Sequence, residues 1–188
     1  MAGVRVTGGA LRGRNVPLPR HELRPTSGRA REAYFNVVAP RIEGAAFLDL
    51  FSGTGIFSIE AGSRGAARIV AVDESRRALE LLSRLAREWN LPIATMPSDA
   101  ILAIKRLAGE RAAFDLVYAD PPYDYPDYAR LLGAIDESLP LADDALVAIE
   151  HRSGKAAFTP PPLSRLEMEK TSRYGNVGIT YFRVGSSQ

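Results

Sequence analysis

From residue 45 onward, short apolar runs alternate with segments whose apolar positions recur every three or four residues. The runs at 45–51, 67–73, 92–96, 114–119 and 145–150 have the length of buried strands, and residues 56–64, 75–89, 99–107 and 125–137 between them have helical periodicity. In segment 75–89, Leu79, Leu82, Ala86 and Trp89 share one face, which makes the single tryptophan a core residue rather than a ligand contact. Such alternation predicts a parallel sheet covered by helices on both faces. Apolar segments at 163–169 and 177–184, joined by the turn Arg173-Tyr174-Gly175-Asn176, predict an antiparallel hairpin at one edge. Ahead of this unit, 4–7 and 15–18 read as short strands around the Gly8-Gly9 and Arg12-Gly13 turns, followed by a helix over 28–38. No internal repeat is visible.

Composition narrows the class. A chain of 188 residues with 46% hydrophobic content is sufficient for one domain with a sizeable core. Cysteine is absent and histidine occurs only as His21 and His151, which excludes disulfides, thiol nucleophiles and Cys/His metal clusters, so no metal is expected. The start lacks an apolar signal core and no apolar run reaches spanning length, so a soluble cytoplasmic protein without membrane contact is expected. Net charge is only +2, yet residues 1–31 hold Arg5, Arg12, Arg14, Arg20, Arg24, Arg29 and Arg31 against the single acid Glu22. That polarity suggests a basic arm for a polyanion, with a plain solvated face as the alternative. The chain accordingly divides into a basic arm and helix, 1–44, and a main α/β unit, 45–188, forming one compact body.

Two loops carry candidate chemistry. Asp49-Leu50-Phe51-Ser52-Gly53-Thr54-Gly55 ends the first core strand and opens a helix, where open α/β sheets bind their ligands. Gly53 and Gly55 allow close backbone approach to a ligand. A dinucleotide fingerprint needs a third glycine where Ser58 stands, and no Gly-Lys-Ser/Thr follows. The loop thus suits a nucleoside lacking a pyrophosphate. S-adenosylmethionine fits, its cationic methionine end facing Asp49; glycines at a tight turn are the plainer reading. Asp73 closes the second strand, where an acid accepts ribose hydroxyls. Asp99 can accept from an adenine amino group, cap the helix that follows it, or do both.

Asp120-Pro121-Pro122-Tyr123 follows the run 114–119. Two prolines stiffen the turn and hold carbonyls toward a substrate, the acid accepts from an exocyclic N–H, and the tyrosine offers a stacking face. The combination points to methyl transfer onto a planar amine, although Asp-Pro-Pro also serves as a rigid strand-to-helix turn.

The chain resembles the bacterial 16S rRNA guanine-N2 methyltransferases almost end to end. The likeness rests on Val4-Arg5-Val6-Thr7-Gly8-Gly9, Leu11-Arg12-Gly13-Arg14, Arg24-Pro25-Thr26, Arg29-Ala30-Arg31-Glu32-Ala33-Tyr34-Phe35-Asn36, the loop Asp49 to Gly55, Glu60-Ala61, Ser63-Arg64-Gly65-Ala66, Asp120 to Tyr123, and Tyr174-Gly175. It implies a seven-stranded class I methyltransferase sheet, mostly parallel with an antiparallel C-terminal edge and a basic N-terminal extension. It places S-adenosylmethionine at Asp49, Phe51, Gly53, Gly55, Asp73 and Asp99, and the amine at Asp120, Pro121, Pro122 and Tyr123. From the arginine density of the arm, RNA contacts are expected at Arg12, Arg14, Arg24, Thr26, Arg29 and Arg31, while Glu32, four residues before Asn36 on the same helix, is expected to serve the fold. The implied partner is small-subunit rRNA, within a ribosomal subunit or assembly intermediate, and no obligate protein partner is evident. Gly28 stands where the family often has an acid, as does Ser75. Competing readings are an adenine-N6 or glutamine-N5 methyltransferase, an NAD-dependent oxidoreductase, and an RNA-binding module without activity. Asp120 and the arm disfavour the first, Ser58 the second, and the intact tetrapeptide the third.

Overall fold

The structure, a computed structural model, describes residues 3–17, 28–110, 112–122, 125–154 and 158–185. Nine strands and five α-helices are found among them: β1 Gly3–Arg5, β2 Asn15–Pro17, α1 Gly28–Val38, β3 Ala46–Leu50, α2 Ile56–Ser63, β4 Arg68–Asp73, α3 Arg76–Glu88, β5 Ile93–Pro97, α4 Ala100–Leu107, β6 Phe114–Ala119, α5 Tyr128–Ser138, β7 Leu141–Arg152, β8 Leu166–Tyr174 and β9 Val177–Val184. β1 and β2 form a small antiparallel hairpin, and the other seven form one sheet in the order β5-β4-β3-β6-β7-β9-β8. The first five strands of that order pair in parallel, while β9 runs antiparallel to both β7 and β8. The expected α/β architecture, with its antiparallel edge, is present.

Pleating sends alternate residues to opposite faces. On one side Leu48, Leu50, Val117, Val147 and Ile149 pack with α4 and α5. On the other Phe47, Leu116, Tyr118, Ala148 and Tyr181 pack with Tyr34, Phe35 and Val38 of α1. The hairpin adds Val6 and Val16 to a third cluster with Leu79, Leu82 and Leu85 of α3, against which Trp89 packs. The tryptophan thus serves packing, as its place on the apolar face of the helix implies.

Several boundaries differ from the sequence pattern for local reasons. α5 begins at Tyr128, not at 125, because the Tyr125 N–H closes a turn on the Pro122 carbonyl at 2.8 Å and the Asp127 side chain caps the helix through the Arg130 N–H at 2.9 Å. β7 is longer than its apolar run: beyond an irregularity in register, Leu141 still pairs with Phe114 although Asp143 and Asp144 are exposed. β8 lies later than 163–169 and extends through Tyr174, so Gly175 and Asn176 alone make the turn, with Gly175 at φ 63°.

Candidate active site

The site is built at the C-terminal ends of β3, β4 and β6, where the parallel strands release their loops. Asp49 is buried, 2% exposed, and its Oδ2 accepts from the Ser58 N–H at 3.0 Å and the Ser58 hydroxyl at 2.6 Å. Burial pushes the Asp49 carboxyl up to about 7, against the lowering effect of the Ser58 bonds, and the nearby charge of Asp73 raises it further. Ser58, which the glycine fingerprint marks only as a missing glycine, is therefore the clamp that orients this acid. Its one sequence signal is a small hydroxyl residue in the first turn of the helix that follows the glycine loop.

The two glycines have different work. Both have positive φ, 50° at Gly53 and 75° at Gly55. A Cβ at Gly55 would come within 2.5 Å of Leu82, so this glycine lets α3 pack against the loop. A Cβ at Gly53 would meet nothing within 4 Å, so here the backbone borders open space. Phe51 adopts φ 64°, a strained value for an aromatic residue, and such strain collects where a binding loop is shaped by its surroundings.

Asp73 ties that loop to the next. Its Oδ2 accepts from the Gly53 N–H and its Oδ1 from the Ser75 N–H, both at 2.8 Å. Ser75 caps α3 by accepting from the Ala78 N–H at 3.3 Å, a role for the hydroxyl at the position where the family often has an acid. Asp99 caps α4 through the Leu102 N–H at 2.9 Å using Oδ1. Capping is thus real, and Oδ2 lies outside that bond. The residues suit S-adenosylmethionine: buried acid for a cationic group, acids at two further strand ends, open space before Gly53, and a buried Ser52 hydroxyl with no hydrogen-bond partner among the described residues.

The Asp120 turn lies beside this loop. The Asp120 N–H donates to the Leu50 carbonyl at 3.3 Å, Asp120 is half-buried and Pro121 buried, while Pro122 is exposed. Tyr125, to which the motifs give no role, meets Phe51 edge-on at 5.3 Å and joins the two loops. Burial raises the Tyr125 phenol, and the charge of Asp99 adds to the effect. Tyr123 lies outside the described residues. Beneath the turn, the Tyr118 hydroxyl donates to buried Glu150 at 2.5 Å while its ring stacks on Phe57 at 3.9 Å. Burial raises the Glu150 carboxyl, opposed by the Tyr118 hydrogen bond.

The arm separates into exposed and buried arginines. Arg12, Arg14 and Arg29 are exposed; Arg24 and Thr26 lie outside the described residues. Arg31 is placed otherwise than an RNA contact requires: 5% exposed, it donates to the Arg5 carbonyl at 3.1 Å and its Nε lies 3.3 Å from Glu60. Helical phase turns it inward with Ala30, Tyr34 and Phe35, and leaves Glu32, expected to serve the fold, in solvent. Glu60 also accepts from the Thr7 N–H at 2.7 Å and from Arg64 Nε at 3.2 Å. One buried acid on α2 therefore holds the hairpin and α1.

This sheet order, with the glycine loop after β3, an acid ending β4 and Asp-Pro-Pro after β6, is that of the class I methyltransferase fold. The model of the family described as "Conserved hypothetical protein 95" matches residues 4–183. The chain belongs to this family. It is 32% identical over 173 residues to "Ribosomal RNA small subunit methyltransferase D" of Escherichia coli strain K12, covering 90% of this chain and 85% of that one. It is 29% identical over 183 residues to "Putative rRNA methyltransferase YlbH" of Bacillus subtilis, covering 96% and 98%. Among solved structures, "Putative methyltransferase yhhF from Escherichia coli" superposes with a TM-score of 0.85 at 26% identity, covering 99% of this chain and all of that one.

The raised Asp49 carboxyl makes a measurable trade. Its folded pKa of about 7 exceeds the ordinary aspartate value of 3.8, so the folded state binds the proton more tightly. The resulting destabilisation is complete above about pH 7 and fades as pH falls toward the unfolded value. Asp49→Asn, which keeps an acceptor for Ser58 without the charge, should raise the cofactor-free melting temperature at pH 8, with a smaller gain at pH 5. The same variant should bind S-adenosylmethionine at least about tenfold more weakly at pH 8, the loss of a hydrogen bond to a charged group. Circular dichroism melts and titration calorimetry test both halves, and unchanged cofactor affinity would remove Asp49 from the site.

Proposed function

We propose that the protein transfers a methyl group from S-adenosylmethionine to the exocyclic N2 amine of a guanine in 16S rRNA. The observation that carries this is the junction of the two loops: Asp120 is bonded to the end of β3 at Leu50, and Tyr125 packs on Phe51 of the cofactor loop. An amine held by Asp120 then lies beside the glycine loop. S-adenosylmethionine supplies a methyl group already activated on a sulfonium, so the protein's task is alignment. Asp49, clamped by Ser58, holds the cationic methionine end; Asp73 accepts from the ribose; Asp99 accepts from the adenine amine with the oxygen that does not cap α4.

Guanine N2 is a weak nucleophile because its lone pair is delocalised into the ring. Hydrogen bonds from its two N–H groups to Asp120 and to the Pro121 carbonyl draw the nitrogen toward sp³ geometry and aim the lone pair at the methyl. Tyr123 stacks on the base. A paired guanine cannot present its amine this way, so the target base is unpaired or flipped from its stack.

The arm, residues 1–44, faces the RNA, and Arg12, Arg14, Arg24, Thr26 and Arg29 contact it. Arg31 is assigned to the fold. The relatives named for small-subunit and other rRNA methylation support the substrate class. A ribosomal subunit or assembly intermediate in the cytoplasm is the proposed setting. Among the described residues no helix is long and apolar enough to cross a membrane. The test is mass-spectrometric mapping of 16S rRNA from cells with and without the gene. One N2-methylguanine should vanish in the deletion and return with the wild-type chain; an unchanged methylguanine map overturns the reading.

A further inference from the structure

Helix α3 carries a second concentration of arginine, outside the arm. Arg76, Arg77, Arg84 and Arg87 are all exposed, and none of them pairs with an acid among the described residues. Between α3 and the sheet-edge strand β5 lies an open groove of about 480 Å³, lined by Arg76, Arg84 and Arg87 with Leu79, Thr95 and Pro97. Glu80 is the one acid in its lining, and Arg87 donates to Ser83 at 2.9 Å, which points its guanidinium along the helix. Helical spacing places 76, 80, 83, 84 and 87 on the same side. The arginines run about 16 Å from end to end at 1.5 Å per residue.

Two features of position select the occupant. The groove begins beside the cofactor end of the sheet, since Pro97 pairs with Asp73 and Ser75, just before Arg76, donates its N–H to Asp73. The basic hairpin packs on the same helix, where Val6 and Val16 meet Leu79, Leu82 and Leu85, and Arg14 lies over the Trp89 ring at 5.3 Å. Hairpin and helix thus form one body with exposed cations on both. A single polyanionic strand that reaches the active site can follow both surfaces.

We propose that the α3–β5 groove is a second binding track for the phosphate backbone of the substrate RNA, holding a strand outside the target loop. The proposal rests on the rRNA reading of the active site and adds the path of the flanking RNA. Guanidinium groups bind phosphates bidentately, Leu79 and Pro97 give an apolar floor for the sugars, and the Glu80 carboxylate opposes a phosphate backbone and so moderates the affinity. Contacts of this kind position the RNA without reading its sequence.

The experiment uses the full chain with unmethylated 16S rRNA, naked and in small subunits, from cells lacking the gene. For Arg76/Arg84/Arg87→Gln, the KM for RNA should rise at least about fivefold, with kcat at saturating RNA and cofactor affinity unchanged. The slope of log binding constant against log salt should fall by about 2, near 0.7 for each lost contact. Glu80→Gln should act oppositely, tightening RNA binding, a result that a folding defect does not produce. Unchanged slopes and KM in both variants overturn the track. Loss of activity on subunits with normal binding of naked RNA also overturns it, assigning the groove to an acidic protein surface. If the wild-type chain methylates no rRNA, the active-site reading fails, while the salt slopes still decide the groove.

Discussion

Replacing Asp120 by alanine is expected to reduce methyl transfer to rRNA by roughly tenfold to a thousandfold, the range for removing one polar contact that strengthens in a transition state. The expectation rests on where this side chain stands. Asp120 follows β6 directly, its N–H is bonded to the Leu50 carbonyl, and buried Pro121 fixes the chain beyond it. The backbone that carries the carboxylate is thus held in place before substrate arrives, which favours an effective contact. Cofactor affinity should remain near that of the wild type, because Asp49, Asp73 and Asp99 come from other strand ends. The decisive measurements are single-turnover methylation at saturating rRNA and calorimetric titration of S-adenosylmethionine. If the variant loses cofactor affinity in proportion to rate, Asp120 belongs to the cofactor loop and the amine site must lie elsewhere. Asp120→Asn, which retains one acceptor oxygen, should fall between the two.

Glu60→Ala should be the most destabilising single change near the site, by about 3 to 5 kcal/mol, the usual cost of leaving buried partners without their counter-charge. The Glu60 side chain is fully buried, with Arg31 Nε at 3.3 Å and Arg64 Nε at 3.2 Å, and the Thr7 N–H and hydroxyl donate to it at 2.7 and 2.8 Å. Without it, two guanidinium groups of low exposure lose their neutraliser and the hairpin loses one of its tethers to α2, the bonds of Ser63 to Gly8, Ala10 and Leu11 remaining. Denaturant unfolding measures the stability, and limited proteolysis reports the hairpin, which should become cleavable while the sheet persists. A variant with wild-type stability and an uncut hairpin would show that the packing of Val6 and Val16 and the Ser63 hydrogen bonds hold the arm without Glu60. Because α2 carries Ser58 as well as Glu60, loosening this helix should also weaken the Asp49 clamp and with it cofactor binding.

Much of this protein is decided by the sequence locally. Strand and helix alternation from residue 45 onward follows from apolar periodicity, and the turn residues mark where each strand ends, so the chain alone assigns Asp49, Gly53, Asp73, Asp99 and Asp120 to strand ends and the loops that follow them. A buried parallel sheet needs continuous apolar runs, and few other folds display them at this spacing. The arginine content of the arm is equally plain, but its division is not. Helical phase sets Arg31 on the inward face of α1, but it does not show what receives the charge there, a carboxylate 29 positions away on α2 and a carbonyl 26 positions back on β1. Ser58 bonded to Asp49, Tyr125 on Phe51, and Tyr118 on Glu150 are of the same kind: each partner belongs to a different strand, helix or loop. The α3–β5 groove likewise needs a helix and a sheet edge brought side by side. Element type and strand-end chemistry are short-range properties that a single chain displays, whereas the partner of a buried charge is fixed only when the sheet order places one element beside another.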